Sequence, residues 1–157
     1  MGLDMYLKQE RYISPYDFEK QERADSMSVQ ITTKFGDRTD TKTFTVDGTP
    51  EFGIEVALPM AYWRKANAIH RWFIENCGGD PDSMRMHVPY EKIIELVETC
   101  KQVRDDHSKA PELLPTQDGF FFGSTAYDEW YFEAIDLTIS QLENLKNEGS
   151  YYYEPSW

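Results

Sequence analysis

The sequence predicts an α+β fold in which a small, mostly antiparallel sheet packs against about three helices. Two observations lead to this prediction. The first third of the chain alternates apolar and polar residues with a period of two, as strands with one buried face do. The remainder places apolar residues at helical spacing, interrupted by glycine and proline. Strands followed by helices favour an α+β fold over a parallel βαβ sheet.

The front third of the chain contains most of the strand patterns. Apolar and polar residues alternate along each predicted strand, and a glycine-containing turn joins two of them into a β-hairpin. A polar, mixed segment before the hairpin is expected to form a short helix or a loop. The predicted elements are a strand over 3–7, the helix or loop over 13–27, hairpin strands over 28–34 and 41–46 around a turn at 35–38, and a short strand over 54–58.

The rest of the chain is predicted to be mostly helical. Glycine and proline clusters separate the helical patterns, and a proline at a first helical position fits the start of the second helix. The last helix is expected to be capped by Ser124 or Thr125. The predicted elements are a helix over 60–76, a brief strand over 86–88, a helix from Pro89 to about Arg104, and a helix from 124 or 125 to Gly149.

The domain organisation follows from length and composition. A chain of 157 residues lies in the size range of one domain, and 15% aromatic residues can fill a core without disulfides. We therefore predict a single domain over 1–150 and an aromatic tail over 151–157. The tail could pack on its own domain, on a second copy in a homo-oligomer or on a foreign partner, and the sequence does not choose among these.

Charge limits the classes of partner. The chain has 28 acidic and 16 basic residues and a net charge of −12, which repels phosphates at long range and disfavours general nucleic-acid binding. The negative charge either contributes only to solubility or allows the protein to bind a basic protein partner. The start of the chain lacks a signal-peptide pattern, and no apolar stretch is long enough for a membrane span. We therefore expect a cytoplasmic protein that does not bind membranes.

Cysteine and histidine spacing gives no indication of a metal site. Cys77 and Cys100 form no CxxC pair, and His87 and His107 stand apart from any HxH or HExxH pattern. Both cysteines are expected to be reduced. The sequence therefore predicts neither a metal ion nor a cofactor.

Residues 62–73 place polar groups beside an aromatic helical stripe. If this segment is a helix, Asn67, His70 and Lys65 border the stripe. A buried polar group without a partner costs about 1–3 kcal/mol, so these groups are either satisfied in the core or line a wet pocket. If they line a pocket, an indole is expected to stack on a planar ligand while the polar groups bind the edges of that ligand. The candidate ligand-binding residues here are Trp63, Arg64, Lys65, Asn67 and His70, with Trp72 as an alternative stacking ring.

Residues 113–128 contain a second candidate region. Two glycines bracket three phenylalanines, and a Gly-Ser-Thr turn leads into the predicted helix. The free N–H groups of such a helix start suit an anion, although an ordinary capped helix explains the same pattern. Neither a P-loop nor a GxSxG motif is present. The candidate ligand-binding residues here are Gln117, Ser124, Thr125 and Tyr127.

Three blocks of the sequence resemble a known family. The blocks are MGLDMYL at the start, YWRKANAIHRWF over 62–73 and LLPTQDGFFFGSTAYD over 113–128. Together they are similar to a family of small uncharacterised proteins of bacteriophages and bacterial genomes, with little similarity over 13–58. The resemblance transfers no functional residues and implies a setting: a phage or prophage accessory gene, a class that often counters host defence.

Three functions are compatible with these observations. The first is binding of a small nucleotide-like ligand, including sequestration of a host-defence signal. The second is inhibition of a host protein through the acidic surface and the aromatic tail. The third is nucleotide phosphodiesterase or hydrolase activity with His70 as a base oriented by Asp128 or Tyr127, which the absence of hydrolase motifs disfavours.

Overall fold

The computed structural model confirms the α+β class, with antiparallel sheets and helices. It describes residues 2–46, 53–80, 82–120 and 122–157. In chain order the strands are β1 Asp4–Ile13, β2 Tyr16–Asp17, β3 Glu22–Arg23, β4 Met27–Phe35, β5 Arg38–Val46, β6 Ile54–Arg64, β7 Met86–Val88 and β8 Ser150–Ser156. The helices are α1 Asn67–Asn76, α2 Tyr90–Asp105, α3 Ala110–Leu113 and α4 Glu129–Leu142, with a 3-10 turn at His107–Lys109.

The chain divides into two compact units where the sequence predicts one domain over 1–150. The main unit contains Met1–Glu10 and Ala57–Trp157, and the hairpin unit contains Arg11–Val56. The hairpin unit contains two ribbons, β2 paired with β3 and β4 paired with β5, together with the end of β1 and the start of β6. Among the described residues, no helix is both long and apolar enough to cross a bilayer.

The main unit is built on a four-stranded sheet in the order β6-β1-β8-β7. The segment treated as a tail in the sequence is therefore a central strand. It pairs antiparallel with β1 from Asp4 opposite Ser156 to Glu10 opposite Ser150. Tyr151 and Tyr153 are buried on one face of it, as period-two alternation requires.

Helices cover the buried face of this sheet. α2 and α4 pack against each other, and α1 follows β6 after two residues. The largest fully buried side chains come from strands and helices alike: Trp63, Tyr151, Tyr153, Phe73, Leu3, Met5, Leu7, Ile69, Ile93, Leu96, Leu114 and Ile135. Aromatic residues supply much of this core, which fits the composition of the chain.

The expected helix over 60–76 is wrong in its first part. β6 continues to Arg64, and α1 begins only at Asn67. Ala61 and Trp63 are buried while Tyr62 is exposed, so this stretch follows the period of a strand. Lys65 adopts a positive φ of 57° and redirects the chain between strand and helix.

The last helix is shorter than predicted. It runs from Glu129 to Leu142, and its N-cap is Asp128, whose side chain accepts a hydrogen bond from the Tyr131 N–H at 3.1 Å. Capping by Ser124 or Thr125 is therefore wrong. The brief strand at 86–88 and the β4–β5 hairpin are confirmed, and short paired strands occupy part of 13–27. The second helix is also confirmed, although Pro89 is its N-cap and Tyr90 its first residue.

Candidate functional site

A cavity of about 430 Å³ opens in the main unit where β6 turns into α1. Its walls come from three pieces of chain: the β6–α1 junction, the loop before α4, and one face of α4. Most of the lining side chains are apolar. The lining residues are Arg64, Lys65, Ala66, Asn67, Ala68, Ile69, Gly123, Ser124, Asp128, Trp130, Tyr131, Ala134 and Ile135.

The first turn of α1 faces this cavity without a side-chain cap. The N-cap residue is Ala66, which has no side-chain acceptor. The Asn67 N–H donates to the Lys65 carbonyl at 3.0 Å, but the N–H groups of Ala68 and Ile69 have no acceptor among the described residues. Uncapped first-turn N–H groups carry the positive end of the helix dipole and favour an anion.

Two cationic side chains stand beside this helix start. The Arg64 side chain is 60% exposed and lies 4.0 Å from the Asp4 carboxylate, which is a weak contact. Lys65 is exposed and makes no ion pair in the described part of the chain. A Cβ placed on Gly2 would lie 3.0 Å from the Lys65 Cε, and one on Gly123 would lie 3.2 Å from the Lys65 Cβ. The two glycines therefore make room for this lysine.

The opposite wall of the cavity is α4. Trp130, in the first turn, is 78% exposed, whereas Tyr131 and Ile135 are buried. The Asp128 carboxylate caps this helix, so its N-terminus already has an anionic acceptor. One wall of the cavity is thus the N-terminus of α1, which favours an anion, and the opposite wall contains the exposed indole of Trp130.

Asn67 fixes the loop that forms the third wall. Its side-chain Nδ2 donates to the carbonyls of Phe122 at 3.0 Å and Ser124 at 2.8 Å. Its Oδ1 accepts from the Gln117 N–H at 3.1 Å. Asn67 is 4% exposed, and these three bonds occupy its amide. It lines the cavity and positions the loop.

Two of the predicted ligand-binding residues lie in the core and outside the cavity. The Trp63 indole N–H donates to the Thr138 hydroxyl at 2.9 Å, and Trp63 is 1% exposed. His70 is also 1% exposed, and its Nδ1 lies 2.7 Å from the Tyr153 hydroxyl. Burial lowers the pKa of His70 from 6.5 to about 4, so the imidazole is neutral near pH 7. The structure pairs His70 with Tyr153, and not with Asp128 or Tyr127.

The remaining predicted residues divide between the cavity and the loop behind it. Ser124 lines the cavity, and its hydroxyl accepts from the Ala126 N–H at 3.0 Å. The Thr125 carbonyl accepts from the Thr116 hydroxyl at 3.0 Å. Tyr127 has its hydroxyl 3.4 Å from the Thr116 N–H. The structure therefore brings Arg64, Lys65, Asn67 and Ser124 together, and leaves Trp63, His70, Gln117, Thr125 and Tyr127 outside the lining.

Sequence reasoning missed Trp130 as a cavity residue. Its signal was present: once α4 begins at Glu129, Trp130 falls one position before the buried Tyr131 and off the stripe that continues through Ile135 and Ile139. An indole on the exposed side of a first turn has no packing role in the core. The predicted helix start at 124 or 125 lies four or five residues before the observed start at Glu129, so Trp130 was not recognised as a first-turn residue.

No metal site accompanies the cavity in the described ranges, where no cluster of three His, Cys, Asp or Glu side chains is arranged to hold an ion.

Comparison with known proteins gives no relatives: no family model, no curated protein and no solved structure matches the chain.

Proposed function

We propose that this protein binds a small nucleotide-like ligand, with an anionic group at the start of α1 and a planar ring against Trp130. The observation that carries the proposal is the uncapped first turn of α1, which lines a mostly apolar cavity together with Arg64 and Lys65. A ligand that joins a phosphate to a flat ring matches both halves of such a site.

The electrostatics of the cavity support an anion despite the charge of the chain. The protein as a whole carries −12, so the average surface repels anions. The cavity lining contains two cations, Arg64 and Lys65, and one carboxylate, Asp128, which caps α4, while the Asp4 carboxylate lies 4.0 Å from Arg64 outside the lining. Two cations at one concave site in a chain of −12 favour a small anionic ligand over an extended polyanion.

The apolar wall supports a ring. Trp130 is 78% exposed, and the neighbouring wall contains Ala134 and Ile135. Stacking of a base on an aromatic side chain is worth about 1–3 kcal/mol in single-stranded nucleic-acid complexes. The volume of about 430 Å³ lies in the usual range for small-molecule sites.

The phage or prophage setting implied by the sequence resemblance suggests a biological role for ligand binding. In a phage or prophage accessory protein acting in the host cytoplasm, a binder without turnover would sequester a nucleotide signal of host defence. His70, the base of the hydrolase alternative, is bonded to Tyr153 in the core and lies outside the cavity lining. Binding without catalysis therefore suits the cavity better.

Titration calorimetry with cyclic mononucleotides, cyclic dinucleotides and ADP-ribose derivatives tests the proposal. We expect at least one compound to bind, and Trp130→Ala and Lys65→Gln each to weaken it by tenfold or more. Arg104→Gln is the matched control, because Arg104 lies on α2 and pairs with Asp105 at the surface. No heat with any compound, or equal binding by the Trp130 variant and the wild type, would count against the proposal.

A further inference from the structure

The β4–β5 hairpin of the hairpin unit has one apolar and one polar face. Directly opposed residues of an antiparallel pair share a face, and the register places Val29 opposite Phe44 and Thr32 opposite Thr41. The apolar face consists of Met27, Val29, Ile31, Thr33 and Phe35 with Val46, Phe44, Lys42, Asp40 and Arg38. The polar face consists of Ser28, Gln30, Thr32 and Lys34 with Thr45, Thr43, Thr41 and Thr39.

Most of the apolar face is open to solvent, although Met27 at one end is buried and Val29 is half-buried. Phe44 is 57% exposed, Phe35 54%, Ile31 46% and Val46 38%. In the described part of the chain, each of the two strands pairs only with the other. A two-stranded ribbon is marginal in water unless its apolar face is covered. Contiguous exposed apolar patches of this kind mark interaction sites.

The charges of the hairpin favour a second copy of the chain as the covering partner. Residues 27–46 contain three basic and two acidic residues, a net charge of +1 in a chain of −12. Because its own net charge is small, the hairpin adds little repulsion where two copies meet. Lys42 and Asp40 lie on the apolar face at positions two apart on β5, so a two-fold axis can set each against the opposite charge of the other copy.

We propose that the protein self-associates through this face, with the apolar sides of two β4–β5 hairpins packed together around a two-fold axis. Nine residue pairs make a face about 30 Å long and about 10 Å wide. Two such faces bury on the order of 600–1,000 Å², which is below the range of stable specific interfaces and typical of weak, transient ones. The expected species is a dimer that dissociates on dilution in the micromolar range.

Sedimentation equilibrium of the full chain over a wide concentration range tests this inference. The wild type is expected to form a dimer, and Phe44→Lys to weaken it at least tenfold. Thr43→Lys is the matched control, because it places the same charge one residue away on the polar face and should leave the dimer intact. Ile31→Thr is a second test, because threonine retains strand propensity while removing apolar surface. Circular dichroism checks that each variant folds.

The salt dependence of dimerisation distinguishes an apolar interface from one held together by ion pairs. Salt screens the repulsion between two chains of −12, so the dimer should persist or strengthen as salt rises. A monomer at every concentration would overturn the inference. So would a dimer that survives both Phe44→Lys and Ile31→Thr, or one that Thr43→Lys disrupts equally.

Discussion

Replacing His70 by glutamine should flatten the dependence of stability on pH. The imidazole is 1% exposed, lies 2.7 Å from the Tyr153 hydroxyl and stands among the rings of Phe122 and Trp157. Burial penalises the protonated ring and lowers its pKa from 6.5 to about 4. Glutamine keeps a polar amide at this position but does not titrate.

The sign and size follow from proton linkage. In the unfolded chain, His70 binds a proton as the pH falls below 6.5. In the folded protein, His70 stays neutral until the pH falls to about 4. The contribution is therefore complete above pH 6.5, declines as the pH is lowered from 6.5, and is gone once the pH has fallen through 4. The shift of the pKa from 6.5 to about 4 corresponds to about 3 kcal/mol in total, of which most is lost by pH 4.5.

Urea unfolding at pH 7.5, 6.5, 5.5 and 4.5 measures this contribution. Between the ends of that range, the wild type should lose about 2–3 kcal/mol more stability than His70→Gln. A His87→Gln variant, at an exposed position on β7, controls for the removal of a histidine as such. Identical pH dependence of the wild type and His70→Gln would refute the assignment of His70 as a buried neutral group.

Three further substitutions test contacts around the cavity. Asn67→Ala removes three hydrogen bonds to the loop and should cost about 2–3 kcal/mol by urea unfolding, while the control Asn76→Ala removes one partly buried bond within α1 and should cost much less. Gly123→Ala places a methyl 3.2 Å from the Lys65 Cβ at a φ of 84°, and should lower stability by about 1–2 kcal/mol and weaken ligand binding as well. Thr138→Val leaves a buried indole N–H without its acceptor and should cost about 1–3 kcal/mol, with ligand binding unchanged when the variant is folded.

Local patterns predicted the elements that depend on local chemistry. The hairpin around Gly36 followed from alternation and turn residues, and α2 followed from Pro89 and a helical stripe. These signals lie within a few residues of each element. They therefore survive in a single sequence without knowledge of the rest of the fold.

The elements that depend on distant partners were not predictable in the same way. The final strand pairs with β1, whose Asp4 lies opposite Ser156 at the other end of the chain. The 60–64 segment is rich in aromatic and apolar residues that suit a strand or a helix, and tertiary pairing decides between them. The same misplacement set Trp63 on a helix face, whereas it is a buried strand residue.

The position of β8 changes how the inhibitor hypothesis can be tested. Deleting residues 150–157 would remove a strand that contains the buried Tyr151 and Tyr153, so it would unfold the sheet whether or not the segment binds a partner. Inhibition of a host protein stays a prediction, and surface charge substitutions that leave β8 intact are the way to examine it.

A nitrogen–proton NMR titration tests the central claim most directly, because it reports where a ligand binds. On addition of the cyclic nucleotides and ADP-ribose derivatives, the Trp130 indole signal and the amide signals of Ala68 and Ile69 should shift together and saturate with one affinity. If these signals do not shift with any compound, or if the shifts cluster elsewhere on the protein, the cavity at the start of α1 is not a binding site for nucleotide-like ligands.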